Sequence, residues 1–156
     1  MKLTSFTDYS LRVLMYLAAE PTRRATIAEI AGVFDISEHH LVKVVHFLGK
    51  QGWIETVRGK GGGMRLAAAP ADINLGEVVR SIEPDFSLVD CLTTGNSCTL
   101  TGSCRLTGIV SGALQSFMAH LDRHSLADLL PPPPVAGTSR QRPLILGKRT
   151  SPTARE

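Results

Sequence analysis

Between Thr26 and Gly52 the chain has room for two short helices and very little between them. "TIAEIAGVF" opens with Thr26 and Glu29 at capping-box spacing and sets Ile27, Ile30, Ala31 and Phe34 on one face. "DIS" is long enough only for a tight turn. Ser37 then serves as N-cap of "SEHHLVKVVHFLGKQG", whose apolar set is Leu41, Val44, Val45 and Leu48 and which Gly52 stops. Two helices joined so tightly predict a helix-turn-helix. In "WIETVRGKGGGMRLA", Trp53, Ile54, Thr56 and Val57 favour strand, "RGKGGG" favours a turn, and "MRLA" returns. The result is a two-stranded hairpin with a basic, glycine-rich tip. Helix-turn-helix plus hairpin is a winged helix, so the expected fold class is mainly α with a two-stranded wing.

The flanking segments support this. "SFTDYSLRVLMYLAAE" places Tyr9, Val13, Tyr16 and Leu17 on one helical stripe, and Pro21 ends it. "INLGEVVRSIEP" has Asn74 and Glu77 at capping-box spacing, Leu75, Val78, Val79 and Ile82 as its apolar side, and Pro84 as its stop. "CRLTGIVSGALQSFMAHLDRHS" carries Leu106, Val110, Ala113, Phe117 and Leu121 at spacings of four and three. Such a helix can pack on its own domain or on a twin from a second subunit. Pro131 to Pro134 halt any helix, and residues 135–156 are polar and basic with little periodicity, which reads as a disordered tail.

Charge is unevenly placed. Residues 1–66 hold nine Lys/Arg against six Asp/Glu, residues 67–130 hold three against seven, and residues 131–156 hold five against one. A basic N-terminal module suits a polyanion, here double-stranded DNA. The second helix of the pair exposes Glu38, His39, His40, Lys43 and His46 at and beyond its first turn, where a helix-turn-helix meets the major groove. The wing holds Arg58, Lys60 and Arg65, and an arginine at a hairpin tip suits the narrow minor groove. A solvated helix face and a merely flexible turn are the plain alternatives. A nucleotide-phosphate loop is excluded, because no Lys-Ser/Thr pair follows the glycines. No apolar run reaches the ~18 residues of a membrane span. "MKLTSFTDYSLR" becomes polar at once, unlike a signal peptide, so a cytoplasmic protein with no membrane partner is expected.

All three cysteines, Cys91, Cys98 and Cys104, fall in one Thr/Ser/Gly-rich loop with C-x6-C-x5-C spacing. Zinc knuckles use tight C-x2–4-C pairs, and none is present. Longer spacings in a pliant loop suit an iron–sulfur cluster, with one position left to a ligand that is not cysteine. Three unrelated thiols or a thiol–disulfide switch fit the spacing as well.

Taken together, "LTSFTDYSLRVLMYLA", the helix-turn-helix, "VRGKGGGMRLA" and "IEPDFSLVDC…CRL" resemble the winged-helix iron–sulfur repressors, from Met1 to about Leu130. "SFTDY", "SIEPDFSLVDC" and "SLADLL" make the likeness nearest to the nitric-oxide-sensing, NsrR-type branch. The resemblance implies a homodimer with crossed C-terminal helices, a palindromic operator, and a cluster on Cys91, Cys98 and Cys104. It implies Asp8 of the other subunit as fourth ligand. The cluster-biogenesis (IscR) branch places a histidine three residues after its last cysteine, where this chain has Thr107.

The sequence is therefore read as four parts. Residues 1–83 form the winged helix-turn-helix domain, 84–105 the cluster loop, 106–130 the dimerisation helix and 131–156 the tail. The expected function is a repressor, not an enzyme, that holds its operator with an intact cluster, [4Fe–4S] favoured over [2Fe–2S]. Nitric oxide releases it and relieves detoxification genes. A regulator of iron–sulfur or iron supply and a metal-free thiol sensor are the alternatives.

Overall fold

A computed structural model of the chain describes residues 3–59, 61–83, 85–86, 88–89, 100 and 104–131. Residues 132–156 of the tail, Lys60, Cys91 and Cys98 lie outside these residues.

The first helix, α1 (Ser5–Ala19), starts where Thr4 accepts the Thr7 backbone N–H, and it buries Val13, Leu14, Leu17 and Ala18. Leu14 occupies the centre of this face, while Tyr9 and Tyr16 are half-buried at its edges. The helix-turn-helix follows as expected. The capping box of α2 (Ile27–Phe34) forms, with Thr26 and Glu29 satisfying each other's backbone N–H groups. Asp35 makes the turn in the left-handed conformation (φ 55°), donating its N–H to Ala31. Ser37 caps α3 (Glu38–Lys50), which buries Leu41, Val44, Val45 and Leu48.

The wing is an antiparallel pair, β1 (Ile54–Val57) and β2 (Gly63–Leu66), with Ile54 opposite Leu66 and Glu55 opposite Arg65. A further pairing was not foreseen. Ala25, just before α2, exchanges both backbone hydrogen bonds with Met64, at 2.9 and 2.8 Å. This bridge pins the wing to the helix-turn-helix and explains Gly63, where a Cβ would stand 2.8 Å from the Ala25 carbonyl oxygen. That glycine therefore serves internal packing.

A 3-10 turn (Pro70–Asp72) leads into α4 (Leu75–Ile82), capped by Asn74. The last helix, α5 (Arg105–Leu121), stops short of the expected 106–130. Beyond it the chain reverses. Leu75 donates its N–H to the His124 carbonyl at 2.9 Å, Leu126 donates to the Ile73 carbonyl at 2.8 Å, and a second 3-10 turn covers Leu126–Leu129. Leu126 is fully buried in the same core as Leu14, Ile30, Leu41, Val44 and Val78. Arg80 pairs with Asp122, whose carboxylate fills the space a side chain at Gly76 would need.

The long helix contributes little to that core. Met118 is its one buried residue, Ala113 is exposed, and Val110, Phe117 and Leu121 are half-buried. Leu106 is 52% and Ile109 69% exposed. The expected apolar seam exists, and the described residues leave much of it uncovered.

Candidate nucleic-acid interface and thiol site

The outer face of α3 follows from its buried stripe. With Leu41, Val44, Val45 and Leu48 turned inward, the helical period leaves Glu38, His39, His40, Lys43 and His46 exposed. These residues are not equivalent. His40 Nδ1 lies 3.0 Å from the Ser37 hydroxyl, and its ring meets Tyr9 of α1 at 6.2 Å, so part of its capacity is committed to the cap. Lys43 and Arg58 have no ion-pair partner among the described residues. Arg65 does: its guanidinium pairs with Glu55 directly across the wing, so its charge is largely neutralised there. Arg58 is exposed at the end of β1, and Gly59 and Gly61 follow at positive φ (95° and 77°).

Between α3 and the hairpin lies an open cleft of about 810 Å³, lined by Val42, His46, Lys50, Val57 and Arg58 among others. Val42 and Val57 are exposed apolar residues on its walls, at 51% and 42%. Neither stood out as functional in the sequence. The only signal was a β-branched residue lying off the buried stripe.

Of the expected cluster ligands, two are described. Cys104 is the N-cap residue of α5, half-buried, with a free thiol. The N-terminal N–H groups of α5 suit the negative charge of a thiolate-bound cluster. Asp8 is exposed in the first turn of α1 and accepts from Arg12 Nε at 3.0 Å, and Arg12 lies 5.7 Å over the Phe34 ring. A surface pair of this kind is weak, so the carboxylate is open to exchange.

Sequence reasoning missed Glu83, which stands beside this region. Its carboxylate accepts from the Thr4 N–H at 2.8 Å, the Thr4 hydroxyl at 3.1 Å and the buried Thr7 hydroxyl. Burial pushes the Glu83 carboxyl up, but the hydrogen bonds from Thr7 and Thr4 outweigh it and hold the group below its ordinary range. One side chain thus joins the end of α4, where the cysteine segment begins, to the turn of α1 that carries Asp8. No local pattern marks it, because its partners lie more than 70 residues away.

A second carboxylate ties α1 to α2. Glu29 accepts from Arg23 and from the Tyr16 hydroxyl, both at 2.6 Å. The hydrogen bond from Arg23 is the main reason its carboxyl lies below the ordinary range, and burial with Glu29 alongside raises Tyr16.

Comparison with known proteins agrees with this architecture. The "Iron-dependent Transcriptional regulator" (Rrf2) family profile matches residues 3–132. The HTH-type transcriptional regulator NsrR of Bacillus subtilis is 48% identical over 132 residues, spanning 83% of this chain and 90% of the relative. Its counterpart in Geobacillus kaustophilus is 51% identical over the same length, with the same shares covered. Among solved structures, CymR (YrzC), the global cysteine regulator of B. subtilis, superposes with a TM-score of 0.68 at 24% identity, covering 83% of this chain and 95% of that one, a likeness of fold. The winged helix-turn-helix, the wing, the long last helix and the extent of the match establish that this chain belongs to the Rrf2 family of transcriptional regulators, which are not enzymes.

Proposed function

We propose that this chain is an iron–sulfur-dependent repressor that grips operator DNA as a homodimer and lets go in response to nitric oxide, relieving nitric-oxide detoxification genes. The observation that carries the reading is the placement of α5. A helix with an exposed apolar face begins at a free cysteine, and that cysteine closes a segment holding all three thiols of the chain. Similarity to NsrR regulators supports the choice of signal.

Leu106 and Ile109 would be covered by the twin helix of a second subunit, and the paired domains would present two α3 helices to successive turns of the major groove. His39, His40, Lys43 and Glu38 would face base edges and phosphates there. Arg58, with Lys60, would enter the minor groove, and Arg65 would contribute through its pair with Glu55. Cys91, Cys98 and Cys104 would hold the cluster, favoured as [4Fe–4S], with Asp8 of the partner subunit as oxygen ligand. When bound, the cluster supplies the irons with which nitric oxide reacts. Glu83 would carry the outcome, since it links the cysteine segment to the first turn of α1. A protein acting in the cytoplasm, where thiols stay reduced, fits this chemistry.

An iron-supply regulator is the second reading, favoured by the iron-dependent description of the family. The test is anaerobic purification, assay of iron and acid-labile sulfide, and operator binding during titration with nitric oxide. Asp8→Ala should change the visible spectrum and the response while leaving stability within about 0.5 kcal/mol, because its pair with Arg12 is a surface one. An unchanged spectrum and response would remove Asp8 from the ligand set.

A further inference from the structure

We propose that Val42 is a specificity-determining residue that packs on the C5-methyl group of a thymine in the major groove. The inference deepens the operator-binding reading above and rests on it. Val42 lies in the second turn of α3, outside the buried stripe of Leu41, Val44, Val45 and Leu48, and is 51% exposed. The core does not require it. As an exposed helical residue, a β-branched valine is a poorer choice than alanine or lysine. Its neighbours on the same face are His39 one turn before, Lys43 beside it and His46 one turn after, all exposed. An apolar group thus sits inside a row of polar and basic side chains that suit base edges and phosphates.

The partner follows from chemistry. The major-groove edges of adenine, guanine and cytosine offer donors and acceptors, which a valine would strip of water and leave unpaired. Thymine alone adds a methyl group. The stiff χ1 of valine holds its two methyls at one fixed point, which favours one register over its neighbours. Gly49 on the same cleft supports close approach of the duplex. Glycine weakens a helix interior, yet a Cβ there would meet nothing nearer than the Ile54 carbonyl oxygen at 4.0 Å, so internal packing does not demand it. Of the five exposed large apolar residues among those described, Leu100, Leu106 and Ile109 lie on or near α5, and Val42 and Val57 flank this cleft.

The test begins by enriching binding sites from a random duplex library with full-length protein prepared without air. Each thymine of the selected site is then replaced by deoxyuridine, which removes only the methyl. Wild-type protein should lose about fourfold in affinity at one thymine per half-site, the factor that burying one methyl group corresponds to. Val42→Ala and Val42→Ser should bind the thymine and deoxyuridine duplexes equally, with an unchanged salt dependence because no phosphate contact is lost. Operator binding without any thymine preference, or the same preference in both variants, would overturn the role of Val42 and leave operator binding standing. Failure to enrich any duplex would overturn both.

Discussion

Glu83 shows how one side chain can join parts of the chain that the sequence keeps apart. Its three hydrogen bonds tie the end of α4 to the N-cap and first turn of α1. Because the folded state holds this carboxyl below its ordinary value of 4.5, its stabilisation is complete above that value and is lost as pH falls through the lower folded-state value. Glu83→Gln should cost about 1 kcal/mol at neutral pH. It should also flatten the decline of stability below pH 4.5, read from urea unfolding at a series of pH values. An unchanged slope would mean that the carboxylate is not coupled to folding. The residues that could be picked out from sequence were those whose role follows from neighbours in the chain. Thr26, Glu29, Ser37 and Asn74 all cap as expected, since a cap needs only a residue three positions on. Glu83, and the pairing that neutralises Arg65, depend on folding and could not be read in this way.

At the scale of elements, the helix-turn-helix and wing were legible because their apolar periods are strong and local. The Ala25–Met64 bridge and the return of Leu126 onto Ile73 were not, since each joins segments tens of residues apart without a distinctive pattern. The return has an energetic consequence. Leu126 is fully buried in the core shared with α1, so Leu126→Ala should destabilise the fold by about 2–5 kcal/mol. Denaturant unfolding measures it directly, and a loss below about 1 kcal/mol would show that the turn is not part of the cooperative core. Through Asp122 and its partners Arg80 and Asn74, the same return fixes where α5 leaves the domain.

At the scale of the whole molecule, the chain divides its apolar surface in two. Among the described residues, one part closes the winged-helix core and the other lies open along α5. Ile109 is 69% exposed, so Ile109→Arg should leave the unfolding midpoint of the single chain nearly unchanged while breaking a dimer. Sedimentation should then show a shift from dimer to monomer, and operator affinity should fall with it. A monomeric wild type, or a variant that stays dimeric, would place the subunit contact elsewhere. The periodicity of α5 announced an apolar face from sequence alone. The same periodicity does not say what covers that face.

In the function proposed above, Cys91, Cys98 and Cys104 hold an iron–sulfur cluster whose state sets operator affinity. The decisive experiment follows operator binding and visible absorbance together, in one anaerobic sample, as nitric oxide is added. The expected result is iron and sulfide in the starting protein, and release of DNA in step with the spectral change. Iron-free protein that binds its operator as tightly with nitric oxide as without it would overturn the cluster-dependent switch.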